Sequence, residues 1–166
     1  MENSRVEVRG LVTARVYGPD GVLKAESIHH NLVTAQGDGL IADMFLTPPT
    51  KNRVDNAHGY IVVGTGYASV TTPKQQTWVY TQTGTPQSMA TGYPQLQAIF
   101  PNAALTYSVT FPAGSLNASN INEAALTNGA VSGTAQCLAY AQISPAVNVT
   151  SADTLALTWT ITFLGS

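Results

Sequence analysis

Apolar and polar side chains alternate along several short stretches of the chain, and a period of two is typical of β-strands with one buried face. The first stretch, residues 5–18, places valine or alanine at most of its even-numbered positions. A Gly-Pro-Asp-Gly turn follows at residues 18–21, where proline fixes φ at the second position and glycine tolerates positive φ. We therefore expect residues 22–33 to fold back as the second strand of a hairpin.

The C-terminal half of the chain shows the same alternation more regularly. Candidate strands cover residues 104–111, 121–126, 135–143 and 153–164, and residues 60–63 read as a short, fully buried strand. Short strands separated by Gly, Pro and Asn turns favour a mostly β fold, an antiparallel β-sandwich or jelly-roll-like barrel. Because no internal repeat or linker interrupts the pattern, we expect residues 1–166 to form a single domain.

One segment departs from the strand period and predicts a short helix near residues 35–46. Its apolar residues recur at helical spacing, at Leu40, Ile41, Met44 and Phe45. Thr34 or Asp38 is a suitable N-cap, and the two prolines that follow Thr47 stop the helix. We expect this helix to close one end of the sandwich.

The charge content of the chain is low. Only 10% of the residues are charged and 44% are hydrophobic, and the net charge is -2. A surface so poor in charge suits burial against other subunits, because interface cores are depleted in Lys, Glu and Asp. The seven Lys and Arg form no basic stripe, so we expect no nucleic-acid partner. No stretch has the apolar length of a secretory signal or a membrane span, so we expect no membrane partner.

No set of residues predicts catalysis, a cofactor or a metal. Gly64-Thr65-Gly66 lacks the third glycine of a dinucleotide-binding loop, and the turn-forming role of such pairs is the commoner one. The adjacent His29 and His30 face opposite sides of a strand and cannot share a metal ion. Cys137 lies in an apolar run and is expected to be an inert buried thiol. We therefore expect that the protein is not an enzyme.

Glu123 interrupts an apolar strand, where a carboxylate is rare unless it has partners. Two interpretations stay open. Either the side chain points to solvent, or it accepts hydrogen bonds from backbone N–H groups or an arginine and fixes a loop.

Two groups of residues are candidate partner contacts. The first is the Arg5, Arg9 and Arg15 side of the first strand, for which ordinary solvation is the alternative. The second group lies in an irregular stretch and consists of Trp78, Tyr80 and Tyr93. Exposed aromatic side chains there can anchor a protein partner or form a platform for a sugar.

Several segments taken together resemble the small virion structural proteins of tailed bacteriophages. They are NLVTAQGDGLIADMF, IVVGTGYASVTTPKQQTW, NINEAALTNG, AQCLAYAQI and DTLALTWTITF, and they occur in that order over nearly the whole length. The chain departs from the pattern at Trp78, where leucine is usual, and at Tyr140, where an arginine is frequent. The second departure puts in doubt any pairing of an arginine with Glu123.

The resemblance implies a non-enzymatic protein of the virion, assembled in the host bacterial cytoplasm. We expect a capsid decoration or cement protein that binds the major capsid protein. Capsids present threefold axes, so a homotrimer that clamps several shell subunits is the expected assembly. A tail fibre, baseplate or neck component is the alternative, and a carbohydrate-binding module that uses Trp78, Tyr80 and Tyr93 is a third hypothesis.

Overall fold

The computed structural model describes residues 6–99 and 102–165, and β-strands dominate these ranges. The strands are β1 (Val6–Tyr17), β2 (Leu23–Val33), β3 (Tyr60–Gly64), β4 (Gln82–Ser88), β5 (Gln95–Ile99), β6 (Asn102–Phe111), β7 (Ala118–Thr127), β8 (Cys137–Val149) and β9 (Thr154–Gly165). One α-helix, α1 (Ala35–Asp43), follows β2, and two short 3-10 turns lie at Tyr67–Ser69 and Pro73–Gln75. The prediction of a mostly β chain with one short helix is confirmed.

The nine described strands form one curled antiparallel sheet in the order β4-β3-β7-β8-β2-β1-β9-β6-β5. The first and last of these strands are neighbours, and their ladder runs from Val6 opposite Gly165 to Tyr17 opposite Thr154. The hairpin of β1 and β2 that the turn at residues 18–21 predicts is also present, and its closing bond joins the Gly21 amide to the Gly18 carbonyl at 2.9 Å.

The inner face of the curled sheet carries the main core. Side chains from both ends of the strand order contribute to it, among them Val12, Ala14, Ile61, Val63, Val109, Phe111, Leu126, Leu157 and Trp159. The amide of Ala90, in the segment after β4, donates to the carbonyl of Ser108 in β6 at 2.8 Å. The two ends of the sheet are therefore close in space, while the sandwich or jelly-roll topology stays a prediction.

The residues after β3 cover part of the outer face. Val79 from this segment packs with Val62, Ala125 and Tyr140 in a second, smaller hydrophobic cluster. We name residues 65–81 the outer loop. The mix of Thr, Gly, Gln, Ser and Pro from Thr81 to Pro94 is typical of a long excursion or an extra hairpin. The structure places β4 in this stretch, where it pairs with β3 at one edge of the sheet.

Helix α1 begins where the sequence predicts and ends three residues early. The side chain of Thr34 caps it by accepting a bond from the Gly37 amide at 3.0 Å. Asp43 ends it, because its carboxylate accepts the amides of Thr50 and Lys51 from the returning chain. Phe45, which the predicted helix includes, lies beyond this end and is 85% exposed.

Two glycines of α1 make a matched pair for substitution. A Cβ on Gly37 would lie 2.0 Å from the Leu138 carbonyl oxygen, whereas a Cβ on Gly39 would meet nothing within 4 Å. We expect Gly37→Ala to lower the free energy of unfolding by about 2 kcal/mol through overpacking. Gly39→Ala should raise it by about 0.5–1 kcal/mol through the lower entropy of the unfolded chain. Urea denaturation measures both, and changes of the same sign would contradict this packing of α1.

A buried carboxylate ties β2 to the turn before β9. Asp153 accepts bonds from the Thr150 amide at 2.9 Å and its hydroxyl at 2.8 Å, and from the Lys24 ammonium at 2.9 Å. The Lys24 hydrogen bond, followed by those of Thr150, lowers the pKa of Asp153 to about 2.

This lowered pKa predicts a specific pH dependence. The ionised Asp153 stabilises the fold above its unfolded pKa, about 3.9, and that contribution is lost as the pH falls toward about 2. Asp153→Asn should lower the stability at neutral pH and flatten its decline between about pH 4 and pH 2. Denaturation at a series of pH values tests this, with Asp20→Asn in the β1–β2 turn as the control. A decline as steep in Asp153→Asn as in the natural chain would contradict the assignment.

Candidate functional site

Glu123 is fully buried at the centre of the outer loop's attachment to the sheet. One carboxylate oxygen accepts the amides of Gly66 at 2.8 Å and Thr81 at 2.9 Å. The other accepts the amide of Tyr80 at 2.8 Å and the hydroxyl of Tyr140. Of the two interpretations of Glu123, the second is confirmed, because the side chain fixes a loop by accepting backbone N–H bonds.

The Gly-Thr-Gly pair makes room for this carboxylate. A Cβ on Gly64 would lie 2.5 Å from Oε1 of Glu123 and 2.4 Å from the Thr81 carbonyl oxygen. A Cβ on Gly66 would lie 2.6 Å from the Thr81 hydroxyl oxygen. Because the two glycines have no Cβ, the backbone at residues 64–66 lies close to the Glu123 carboxylate.

Tyr140 stands where the resemblance leads one to expect an arginine. Its hydroxyl donates to Glu123, and its ring stacks on that of Tyr67 with centroids 6.1 Å apart and planes 14° from parallel. Burial, together with the bond to Glu123, raises the pKa of Tyr140, so the hydroxyl keeps its proton. The Tyr67 amide donates to the side chain of Asn122 at 3.0 Å, which adds a further attachment of the loop. The side-chain donor to Glu123 is thus a neutral phenol.

The part of the outer face that the outer loop leaves uncovered lies on β2, β1, β9 and β6. Its side chains alternate with core residues, as Thr13 does with Val12 and Ala14. Cross-strand pairing arranges them in two rows, Ile28-Thr13-Thr158-Ser108 and His30-Leu11-Thr160-Thr106. We name these eight residues the open face. They include no Lys, Arg, Asp or Glu, and Leu11 is 40% exposed and Ile28 51% exposed.

The predicted arginine contacts lie beside the open face and are neutralised locally. Arg9 donates to Glu7 at 2.8 Å, and Arg15 donates to Glu26 on the neighbouring strand. Both pairs are exposed, so each adds little to stability. Arg5 lies outside the described residues. Ordinary solvation is compatible with this local neutralisation, and partner contacts at Arg9 and Arg15 stay a prediction.

The three candidate aromatic residues do not share one surface. Trp78 is only 8% exposed, within the small outer cluster, and its indole N–H donates to the side chain of Gln82 at 2.9 Å. Tyr80 is 59% exposed, whereas Tyr93 packs against the main core. These three rings therefore do not form a flat platform for a sugar.

The histidines are separate from one another. His29 faces inward and is half-buried, and its neighbour His30 is exposed on the open face, as the strand period predicts. His58 contacts the carboxylate of Asp55 through Nδ1 at 2.9 Å, a pairing that no sequence motif predicts. The available indication of this pairing was that Asp55 lies three residues before His58 in a loop. In the structure the Asp55 carboxylate also accepts the amides of Ala57 and His58, which brings the imidazole close to it.

Burial raises the pKa of the Cys137 thiol to about 12, which makes it a poor nucleophile. Over residues 6–99 and 102–165, no three His, Cys, Asp or Glu side chains gather as a metal site would require. The helices of the same ranges are all too short or too polar to cross a membrane.

Comparison of the chain with protein-family models, with curated proteins and with solved structures found no match.

The attachment at Glu123 gives a graded prediction. In Glu123→Gln an amide group replaces one accepting oxygen and faces backbone N–H donors, so we expect a loss of about 3 kcal/mol in the free energy of unfolding. Tyr140→Phe removes one donor and should cost about 1.5 kcal/mol.

Amide hydrogen exchange separates the two variants. The Gly66, Tyr80 and Thr81 amides should lose protection in Glu123→Gln and keep most of it in Tyr140→Phe, because only the first variant loses an acceptor for them. Equal protection of these amides in both variants would show that the loop is held by other contacts.

Proposed function

We propose that the chain is a non-enzymatic structural protein of a tailed-bacteriophage particle. Its role would be that of a capsid decoration protein, a homotrimer that binds the major capsid protein on the outside of the shell. The observation that carries this proposal is the open face, an uncharged surface spread over four strands of the sheet.

The chemistry of the open face suits contact between proteins. Threonine and serine present a hydroxyl group and little conformational freedom, and the burial of such side chains costs far less than the burial of a charge. Leu11 and Ile28 add exposed apolar area at the same place. The pairs Arg9–Glu7 and Arg15–Glu26 at its border leave no excess charge to repel a second copy. The cores of interfaces share its lack of Lys, Asp and Glu.

The architecture gives a second line of support. We propose that the two ends of the curled sheet act as the layers of a sandwich, since the main core joins side chains from β3 and β7 to others from β6 and β9. Such a scaffold holds the open face in a fixed shape before any partner binds. A preformed surface loses little conformational entropy on association, which favours binding at many equivalent sites.

The segments that carry the resemblance to virion proteins build this scaffold. Thr34 caps α1, the glycines at 64 and 66 admit the Glu123 carboxylate, and the final alternating segment forms β9. These residues have structural roles, as expected for proteins whose function is to assemble into a virion.

A charge at the centre of the open face tests the assembly. Thr158 lies between Thr13 and Ser108, and Thr158→Lys should convert the homotrimer to a folded monomer, because a buried, unpaired ammonium destabilises an interface. Thr91→Lys, in an exposed turn elsewhere, is the matched control and should keep the trimer mass. Light scattering gives the masses, and circular dichroism checks the fold.

The same two variants, incubated with purified capsids that lack the protein, test the partner. We expect the natural chain and Thr91→Lys to bind in hundreds of copies, and Thr158→Lys to bind weakly because multivalent attachment is lost. A few copies per particle would favour the tail, baseplate or neck instead. A natural chain that is monomeric and absent from particles would overturn the proposal.

A further inference from the structure

An apolar cavity of about 190 Å³ lies between α1, the segment of residues 51–55 and the inner face of β6 and β9. The side chains that make it apolar are Leu40, Ile41, Val54, Leu105, Leu138 and Ile161. The cavity therefore belongs to the end of the sheet that α1 covers, on the side of the sheet opposite the open face.

Two basic residues also line this cavity, Lys51 and Arg53, and both are exposed. They differ from the other described basic residues. Arg9, Arg15, Lys24 and Lys74 each form an ion pair with a carboxylate, whereas Lys51 and Arg53 form none within residues 6–99 and 102–165. The only two described cations without an ion-pair partner thus lie beside the same apolar space.

The two acidic residues of the lining are already engaged. Asp43 accepts the amides of Thr50 and Lys51, and its pKa is lowered chiefly by the Thr50 hydroxyl, with a smaller effect of the Lys51 charge. Asp55 accepts two backbone amides and contacts His58. Neither carboxylate reaches Lys51 or Arg53 within ion-pair distance, so both cations keep the capacity to bind an external anion.

We propose that this cavity binds a small amphipathic anion, a monocarboxylate with an unbranched tail of about six to eight carbons. The tail would occupy the apolar space, and the carboxylate would lie between Lys51 and Arg53. Size supports the choice, because an apolar cavity of about 150 Å³ holds a benzene molecule. Arg53 adds a planar donor group that matches a carboxylate. This inference does not rest on the proposed function.

Octanoate and octan-1-ol are the probes that separate the two parts of the site. Nuclear magnetic resonance titration of the natural chain should show octanoate binding at least tenfold more tightly than octan-1-ol, because only octanoate carries the anion. The perturbed methyl groups should be those of Leu40, Leu105 and Ile161. Hexanoate, two methylenes shorter, should bind about fifteenfold more weakly than octanoate, since each buried methylene contributes about fourfold.

Charge removal supplies the matched variants. Lys51→Gln with Arg53→Gln should weaken octanoate binding at least tenfold and change octan-1-ol binding less than twofold. Arg9→Gln with Lys74→Gln removes the same number of charges away from the cavity and should change neither affinity more than twofold.

Three results would overturn the inference. They are equal affinity for octanoate and octan-1-ol, no binding of either at millimolar concentration, and chemical-shift changes confined to residues outside the cavity. All three are measured on the natural chain, so they remain decisive if a variant fails to fold.

Discussion

The buried carboxylate of Glu123 is the contact on which the outer side of the molecule depends. A carboxylate in a protein interior is costly unless hydrogen bonds replace its hydration, and here three backbone amides and one phenol do so. Because those amides belong to both ends of the outer loop, one side chain on β7 fixes both ends of the segment to the sheet. The loop in turn covers the small cluster around Val62 and Tyr140, which would otherwise face water.

This attachment divides the outer face into two halves of different character. Over β3, β7 and β8 the sheet is covered by the chain's own loop, and apart from Glu123 the residues that pack there are mainly apolar. Over β2, β1, β9 and β6 the outward residues are mainly threonine and serine, with neutralised charges at the border. The sequence difference has a simple physical origin, because a covered strand face excludes hydroxyl groups that lack partners, whereas an open one accommodates them.

Local sequence patterns predict the parts of this fold that depend on residues close together in the chain. The alternation in β1 and β9 follows from one buried face, and Thr34 is recognisable as an N-cap because capping involves residues three apart. β4 has a polar sequence with glycine and proline, and only its pairing with β3 at the sheet edge makes it a strand.

The contacts that define the sites join residues far apart in the chain, so local sequence patterns do not predict them. The Glu123 carboxylate meets amides 42, 43 and 57 residues away, and backbone donors leave no trace in residue identity. The early end of α1 depends on Asp43 meeting Thr50, and the apolar cavity forms only when α1 packs beside β6 and β9. Helical spacing therefore groups Phe45 with Leu40 and Ile41, although it lies beyond the helix and is exposed.

The pairing of β1 with β9 has a consequence for the order in which the protein forms. The ladder between β1 and β9 has twelve rungs and joins residues up to 159 positions apart. β1 and β2 leave the ribosome well before β9, the other neighbour of β1. Until then the hairpin presents an unpaired edge with alternating valines, the kind of edge that invites mispairing between nascent chains. Closure of so distant a contact also makes folding slow. The sheet is thus completed only once β9 has been synthesised and meets the much earlier β1.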